Sequence, residues 1–208
     1  MKRAIITLAD LPEEGELLVP FDAMLTPLAR EEAERRGLTL REVAAEEAGQ
    51  AALRRLAPEK LVVLAADHAG FRLKEQLKPL LEQLGLAAHD FGVHDEQPAD
   101  YPDLAALVAE AVAGGRAARG IIVDGAGIGS AIAANKVPGV RAALCYDKSS
   151  ARNSREHNNA NVLTLGSRLL PADLALEVAA TWLTTPFAGG RHEKRLAKIA
   201  DIERRYSR

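Results

Sequence analysis

LAPEKLVVLAADHAGFRLKEQL, residues 56–77, joins a helix stop, a continuous apolar run and an amphipathic segment. Pro58 stops a helical pattern, the apolar run Leu61 to Ala66 reads as a strand, and Gly70 turns the chain into a segment with apolar residues at helical spacing. A continuous apolar run leading into an amphipathic helix suits a strand covered on both faces, as in a parallel sheet. The alternation recurs downstream. LAAHDF (86–91), GIIVD (120–124), VRAALC (140–145) and NVLTL (161–165) read as four more strands, each followed by helical spacing. The pattern predicts an α/β, three-layer domain: a five-stranded, mostly parallel sheet with helices on both faces and right-handed crossovers. Ligands in such folds bind beyond the carboxyl ends of the strands, where the winding reverses.

Residues 1–58 form a small N-terminal α/β appendage to this main domain of residues 59–208. In MLTPLAREEAERRG (24–37), Thr26 is a good N-cap, Pro27 suits the first helical position and Gly37 suits the end. TLREVAAEEAGQAALRRLAP (39–58) reads as a second helix, opened by a Thr39–Glu42 capping box and striped by Leu40, Val43, Ala44, Ala48 and Ala51. That stripe would pack on its own domain or on a sister subunit.

Composition narrows the function classes. Hydrophobic residues are 48% and charged residues 27%, a globular balance that supplies a core. Lys plus Arg (27) nearly cancels Asp plus Glu (29), so no overall field favours nucleic acid or an acidic membrane. The single cysteine, Cys145, excludes a disulfide framework and a Cys-based zinc pattern. The N-terminus turns acidic before any apolar segment is long enough for a signal peptide, and no later run reaches a membrane span. A soluble, cytoplasmic protein is expected. The five histidines show no metal-ligand spacing, so neither a metal nor another cofactor is expected.

Four stretches have the residue types for chemistry. Asp67 and His68 end the first strand and make a plausible acid/base pair. In IIVDGAGIGSAIAANK (121–136), Asp124 ends a strand and Gly125, Gly127 and Gly129 let backbone amides approach a ligand; this is neither a P-loop nor a dinucleotide fingerprint, but a nest suited to phosphate or a developing oxyanion. SREHNNANVLTLGSR (154–168) sets His157, Asn158, Asn159 and Asn161 before a strand and Arg168 after it, which suits a hydroxylated ligand. In FAGGRHEKRLAKI (187–199), Arg191 and Arg195 share one helical face beside His192, an arrangement suited to a phosphate monoester.

Taken in order, ADHAGFRLKEQLK, DFG, DYPDLA, GAGIG, IAANKVPGVRAALC, SREHNNANVLTLGSR and FAGGRHEKR resemble the ribose-5-phosphate isomerase B family, which includes the galactose-6-phosphate isomerase subunits. The resemblance covers roughly residues 60–203. It implies a Rossmann-like sheet of order 2-1-3-4-5, a homodimer (or a tetramer built from it) with sites at the subunit interface, and metal-free aldose-ketose isomerisation of a phosphorylated sugar. It further implies that the amides of Gly125, Gly127 and Gly129, with Asn158, hold the enediolate. His68, Arg168, Arg191 and Arg195 would bind phosphate and substrate, some of them from the partner subunit. Asp67 would contact the sugar ring and help open it.

The chain departs from the family at the base. Most members have a cysteine where Asp124 stands, and another branch uses a glutamate at the position of Ser130. Ala126 replaces a hydroxyl residue, and Tyr146 replaces the histidine that commonly follows ALC. Three readings stay open: Asp124 as a carboxylate base with Asp67 or Tyr146 opening the ring; a pseudo-isomerase that binds sugar phosphate or assembles with another subunit; or isomerisation of a different phosphorylated sugar. In the appendage, ELLVPFDAMLTPLAREEAERRGLTL (16–40) resembles an N-terminal segment of ethanolamine- and propanediol-utilisation proteins. That implies association with shell or cargo proteins of a bacterial microcompartment.

Overall fold

The computed structural model describes residues 5–6, 11–21, 23–44 and 56–207. The chain divides into two compact units, Met1–Leu56 and Ala57–Arg208. In the first, β1 (Ile5–Ile6) pairs in parallel with β3 (Met24–Leu25), and β2 (Glu16–Pro20) with β4 (Thr39–Val43). Helix α1 (Pro27–Arg35) begins as its sequence dictates: the Thr26 hydroxyl accepts from Ala29 N at 3.2 Å and Pro27 opens the helix. Ile6, Leu11, Leu17, Val19, Ala29 and Ala33 form its small core.

The helix expected from Thr39 does not start there. Thr39–Val43 is a strand in register with Glu16–Pro20, so the Thr39–Glu42 capping box is not formed. The β-branched residues Thr39 and Val43 tolerate an extended backbone, and pairing with β2 supplies hydrogen bonds that a helix would have made locally. Residues 45–55, the rest of that expected helix, lie outside the described residues.

The second unit runs β5 (Leu61–Ala66), α2 (Phe71–Gln83), β6 (Ala87–Asp90), α3 (Tyr101–Ala113), β7 (Arg119–Asp124), α4 (Ile128–Ala134), β8 (Ala142–Leu144), α5 (Lys148–Asn158), β9 (Val162–Gly166), α6 (Ala172–Thr184) and α7 (Arg191–Tyr206). All strand pairs in its five-stranded sheet are parallel, as expected. The order is β6-β5-β7-β9-β8, or 2-1-3-5-4 counted within the unit. The expected order 2-1-3-4-5 is therefore corrected at its last two strands. Burial explains the exchange. Every residue of β9 is buried, whereas the three residues of β8 are only half-buried, so β9 takes the interior place and the short β8 the edge. Residues of β5, β7 and β9 pack against Leu73, Leu77 and Leu81 of α2 and Val178 and Trp182 of α6. Among the described residues no helix is long and apolar enough to cross a membrane.

One buried charge network pins α2 to β6. Lys74 is fully buried, with Nζ 2.5 Å from Asp90 Oδ2 and 3.1 Å from Glu75, and Lys78 lies 2.7 Å from the same Asp90 oxygen. Burial alone would raise the Asp90 carboxyl, but Lys74, Lys78 and the Gly92 N–H hold it below the usual carboxylate range. A carboxylate depressed in the folded state stabilises above its unfolded pKa and loses that contribution as pH falls. Asp90→Ala would leave the Lys74 ammonium buried with one longer partner. The expected loss is about 3–5 kcal/mol, read as a lower urea midpoint at pH 7 with the slope preserved.

Candidate active site

Because β5, β7 and β9 are neighbours, their carboxyl ends bring three loops together. Ala66 pairs with Val123 and Asp124 with Gly166, so Asp67, the Asp124 loop and Ser167–Arg168 follow at one level. Asp67 is buried; its N–H donates to Val123 O at 3.1 Å, and its Oδ1 accepts from Gly70 N at 2.9 Å. The Ser167 hydroxyl reaches both Ala69 O (2.9 Å) and Asp124 O (3.0 Å), tying the three loops. Arg168 passes over Gly125, where an added Cβ would stand 3.5 Å from its Cδ. The exchange of the last two strands makes this possible, since in the expected order β8 would separate Arg168 from the loop. His68 is half-buried beside them, with its Nδ1 buried and unpartnered among the described residues.

Asp124 is the centre of the loop and is 4% exposed. Its Oδ1 accepts from Ala126 N at 2.7 Å and from Gly127 N; its Oδ2 accepts from Ser130 N at 3.1 Å and Ser130 Oγ at 2.5 Å. Two donors on each oxygen fill the roughly four lone-pair positions of a carboxylate. The amide nest is thus filled by the protein's own side chain. Of the three glycine amides expected to hold an enediolate, that of Gly127 points at Asp124, with Ala126 and Ser130 as the other backbone donors. Gly127 has φ +78°, a left-handed conformation that lets its N–H turn inward at no steric cost.

Two tyrosines frame the loop. The Tyr146 hydroxyl donates to Ala126 O at 2.9 Å, so the expected ring-opening candidate is committed to the loop backbone. Tyr101 lies over Gly129, where a Cβ would come within 2.5 Å of its ring. Tyr101 was not singled out from sequence; its place at the first helical position of α3, in DYPDLA, was the available signal. Ile128 and Ile132, one turn apart on α4, are 50% and 58% exposed beside this loop. Cys145, which follows β8, is fully buried and its thiol is pushed up by burial, as befits a packing residue.

The remaining expected residues sit elsewhere. Helix α5 starts beyond the carboxyl end of β8 and returns to the amino end of β9, so Asn158 lies at the opposite end of the sheet from Asp124. Its carbonyl accepts from Arg141 Nε at 3.0 Å, just before β8 begins. Arg191 and Arg195 open α7 at that end, and both are exposed. There the His157 and His192 rings stack, with centroids 4.3 Å apart and planes 8° from parallel. His192 is buried with Nδ1 unpartnered among the described residues. Burial, then His157, Arg191 and Arg195, hold its imidazolium below the usual range. Sequence reading placed His157 and His192 in separate motifs and missed the pair. One chain thus carries two separate clusters of the expected residues: Asp67, His68, the Asp124 loop and Arg168 at one end of the sheet, and His157, Asn158, Arg191 and Arg195 at the other. Among the described residues no group of three or more His, Cys, Asp and Glu is arranged to hold a metal ion.

Known proteins align with the second unit. The chain is 42% identical over 146 residues to ribose-5-phosphate isomerase B of Escherichia coli, a match covering 70% of this chain and 98% of that one. It is 40% identical over 144 residues to D-erythrulose-4-phosphate isomerase of Pectobacterium atrosepticum, covering 68% and 94%. The solved ribose-5-phosphate isomerase B of Clostridium thermocellum superposes with a TM-score of 0.69 at 48% identity, over 71% of this chain and 99% of that chain. Residues 62–199 match the Ribose/Galactose Isomerase family, and the chain belongs to that family.

Proposed function

We propose that this chain is an aldose-ketose isomerase of a phosphorylated sugar, of the ribose 5-phosphate to ribulose 5-phosphate type, working through an enediol without a metal ion. The observation that carries the reading is the convergence of Asp67, His68, the Asp124 amide loop and Arg168 at one end of the sheet. Two half-sites at opposite ends of one chain make a complete site when two copies pair, so the working form is a homodimer. Exposed Ile128 and Ile132 beside the loop offer an apolar surface for that pairing.

In this reading Asp124 rests in the nest until substrate arrives. The sugar's carbonyl oxygen O1 takes over the Ala126, Gly127 and Ser130 donors, and the displaced carboxylate removes the proton from C2. The C2–H electron pair forms the C1–C2 double bond, and the carbonyl π pair moves onto O1, where the amides stabilise it. The O2–H proton passes to O1, the O2–H electron pair forms the C2=O bond, and the C1–C2 π pair takes the carbon proton back from Asp124 at C1. Asp67, whose Oδ2 has no protein donor among the described residues, is better placed than Tyr146 to open the ring. His68 and Arg168 bind the sugar from one copy; from a second copy Asn158 adds a donor to the enediolate, and Arg191 and Arg195 close over the phosphate.

Turnover on a panel of pentose, tetrose and hexose phosphates tests this, and also decides which sugar is used. The filled nest favours one other reading, a catalytically impaired subunit that binds sugar phosphate. No turnover on any member, together with a sugar phosphate that raises thermal stability, would establish that alternative.

For residues 1–57 we propose assembly or encapsulation within a bacterial microcompartment in the cytoplasm, on the resemblance of residues 16–40. Deleting the segment should leave turnover within about twofold and abolish co-sedimentation with shell proteins; unchanged co-sedimentation contradicts it.

A further inference from the structure

Arg119, Arg141 and Arg155 come from three separate elements and converge on one open pocket of about 570 Å³ at the amino end of the sheet. Arg119 opens β7, Arg141 precedes β8 and Arg155 lies in the last turn of α5. Asn159, Asn161, Thr184, Thr185 and the exposed Glu59 complete the polar wall, so three guanidinium groups face one solvated carboxylate. All three guanidinium groups are half-buried, and none has an Asp or Glu within ion-pair distance among the described residues.

Their present partners are neutral. Arg119 donates to the carbonyls of Leu183 and Glu59, Arg141 to those of Asn158 and Asn159, and Arg155 to Thr185 O, Ala160 O (2.5 Å) and the Asn159 side chain. These carbonyls belong largely to the ends of α5 and α6, where helix dipoles favour cations. Carbonyls fix the three forks in place without cancelling their charge. Each guanidinium has five N–H donors, and Arg119 uses only its two Nη groups, Arg141 only Nε and Nη2, and Arg155 only Nε and Nη1. The electrostatic cost is visible in Arg155, whose guanidinium is pushed down to about 10 by burial and by its neighbours Arg119 and Arg141. Glu203 offsets part of the cost at Arg141, but like charges half-buried together remain unfavourable, and a bound anion would relieve the penalty.

We propose that Arg119, Arg141 and Arg155 form a second anion site, which takes a small molecule bearing a phosphoryl group. A phosphoryl group offers three oxygens, one for each guanidinium, and charge-assisted bonds of this kind favour Arg over Lys. The pocket is larger than the phosphoryl group and within the range of small-molecule sites, so it has room for the rest of such a ligand. It shares no residue with the Asp124 loop, nor with His157, His192, Arg191 or Arg195.

The test uses inorganic pyrophosphate as probe and the full chain carrying Arg191→Gln and Arg195→Gln, so that the isomerase phosphate anchor is disabled. Calorimetric titration in 0.15 M chloride, roughly physiological ionic strength, is expected to show saturable binding of one pyrophosphate per chain and a matching rise in Tm. Adding Arg119→Gln should weaken that binding at least tenfold, and Arg119→Lys should restore only part of it. Arg155→Gln serves as the second variant should Arg119→Gln fail to fold. Absence of saturable binding overturns the proposal, as does binding unchanged in both the Arg119→Gln and Arg155→Gln chains. Because the readout is binding, it stands apart from whether the Asp124 site turns over.

Discussion

Asp124→Asn is expected to lower kcat at least 10³-fold while changing KM less than about threefold, within the range for loss of a general base. The amide is the same size as the carboxylate, and its oxygen can still accept from Ala126 and Gly127 N–H. Its NH₂ would face Ser130 N–H, one mismatched contact worth about 1–3 kcal/mol of stability. The chain should therefore fold, with a measurable fall in Tm, and fail in chemistry. Asp124→Ala should be worse in both respects, because four donors lose their acceptor in a buried loop. Full turnover in Asp124→Asn would mean that the carboxylate is only a loop fastener. Steady-state kinetics paired with thermal melts separates the two roles.

Arg191→Gln combined with Arg195→Gln should reduce kcat/KM by roughly 10²–10⁴, mostly through KM. Each lost charge-assisted contact costs about 1.5–3 kcal/mol. Both side chains are exposed and neither makes an ion pair among the described residues, so Tm should stay within a degree or two. Mixing these chains with Asp124→Asn chains should recover activity: a mixed dimer has one site built from an intact loop and an intact arginine pair. Recovery is the signature of a site shared between copies. A double substitution that leaves KM untouched would remove the second half-site from the account.

The fold was legible where hydrophobic pattern and length were unambiguous. Leu61–Ala66, Gly120–Asp124 and Val162–Leu165 are strands because continuous apolar runs bounded by turn signals suit little else in an α/β frame. Strand order was less legible, since pattern marks strands and not their neighbours. The clue was the contrast between VLTL, apolar enough to be buried on both faces, and the short, half-polar segment that became β8. Thr39–Val43 failed for another reason. A capping box is a local signal, and pairing with residues 16–20 is a non-local one that local reading cannot weigh.

The site was legible as residue types and not as geometry. The motifs named Asp67, His68, Asp124 and Arg168, and β5, β7 and β9 bring them together. They could not reveal that Asp124 and Ser130 fill the nest between them, because a carboxylate folding back six residues along the chain leaves no spacing rule. Nor could they pair His157 with His192, which meet only because α7 packs on α5. The filled nest makes displacement of Asp124 a step of the proposed reaction, and the His157–His192 stack gathers the scattered basic motifs at one end of the sheet.

Deuterium uptake at the sugar carbons reports on the Asp124 base itself. Ribose 5-phosphate incubated with the full chain in D₂O and followed by proton NMR should lose its C2 proton signal as deuterium enters at C2, and the ketose formed should take up deuterium at C1. That exchange should vanish in Asp124→Asn. Exchange of equal rate in the variant, or none with the unsubstituted chain on any sugar phosphate of the panel, would contradict Asp124 as the base of an enediol isomerase.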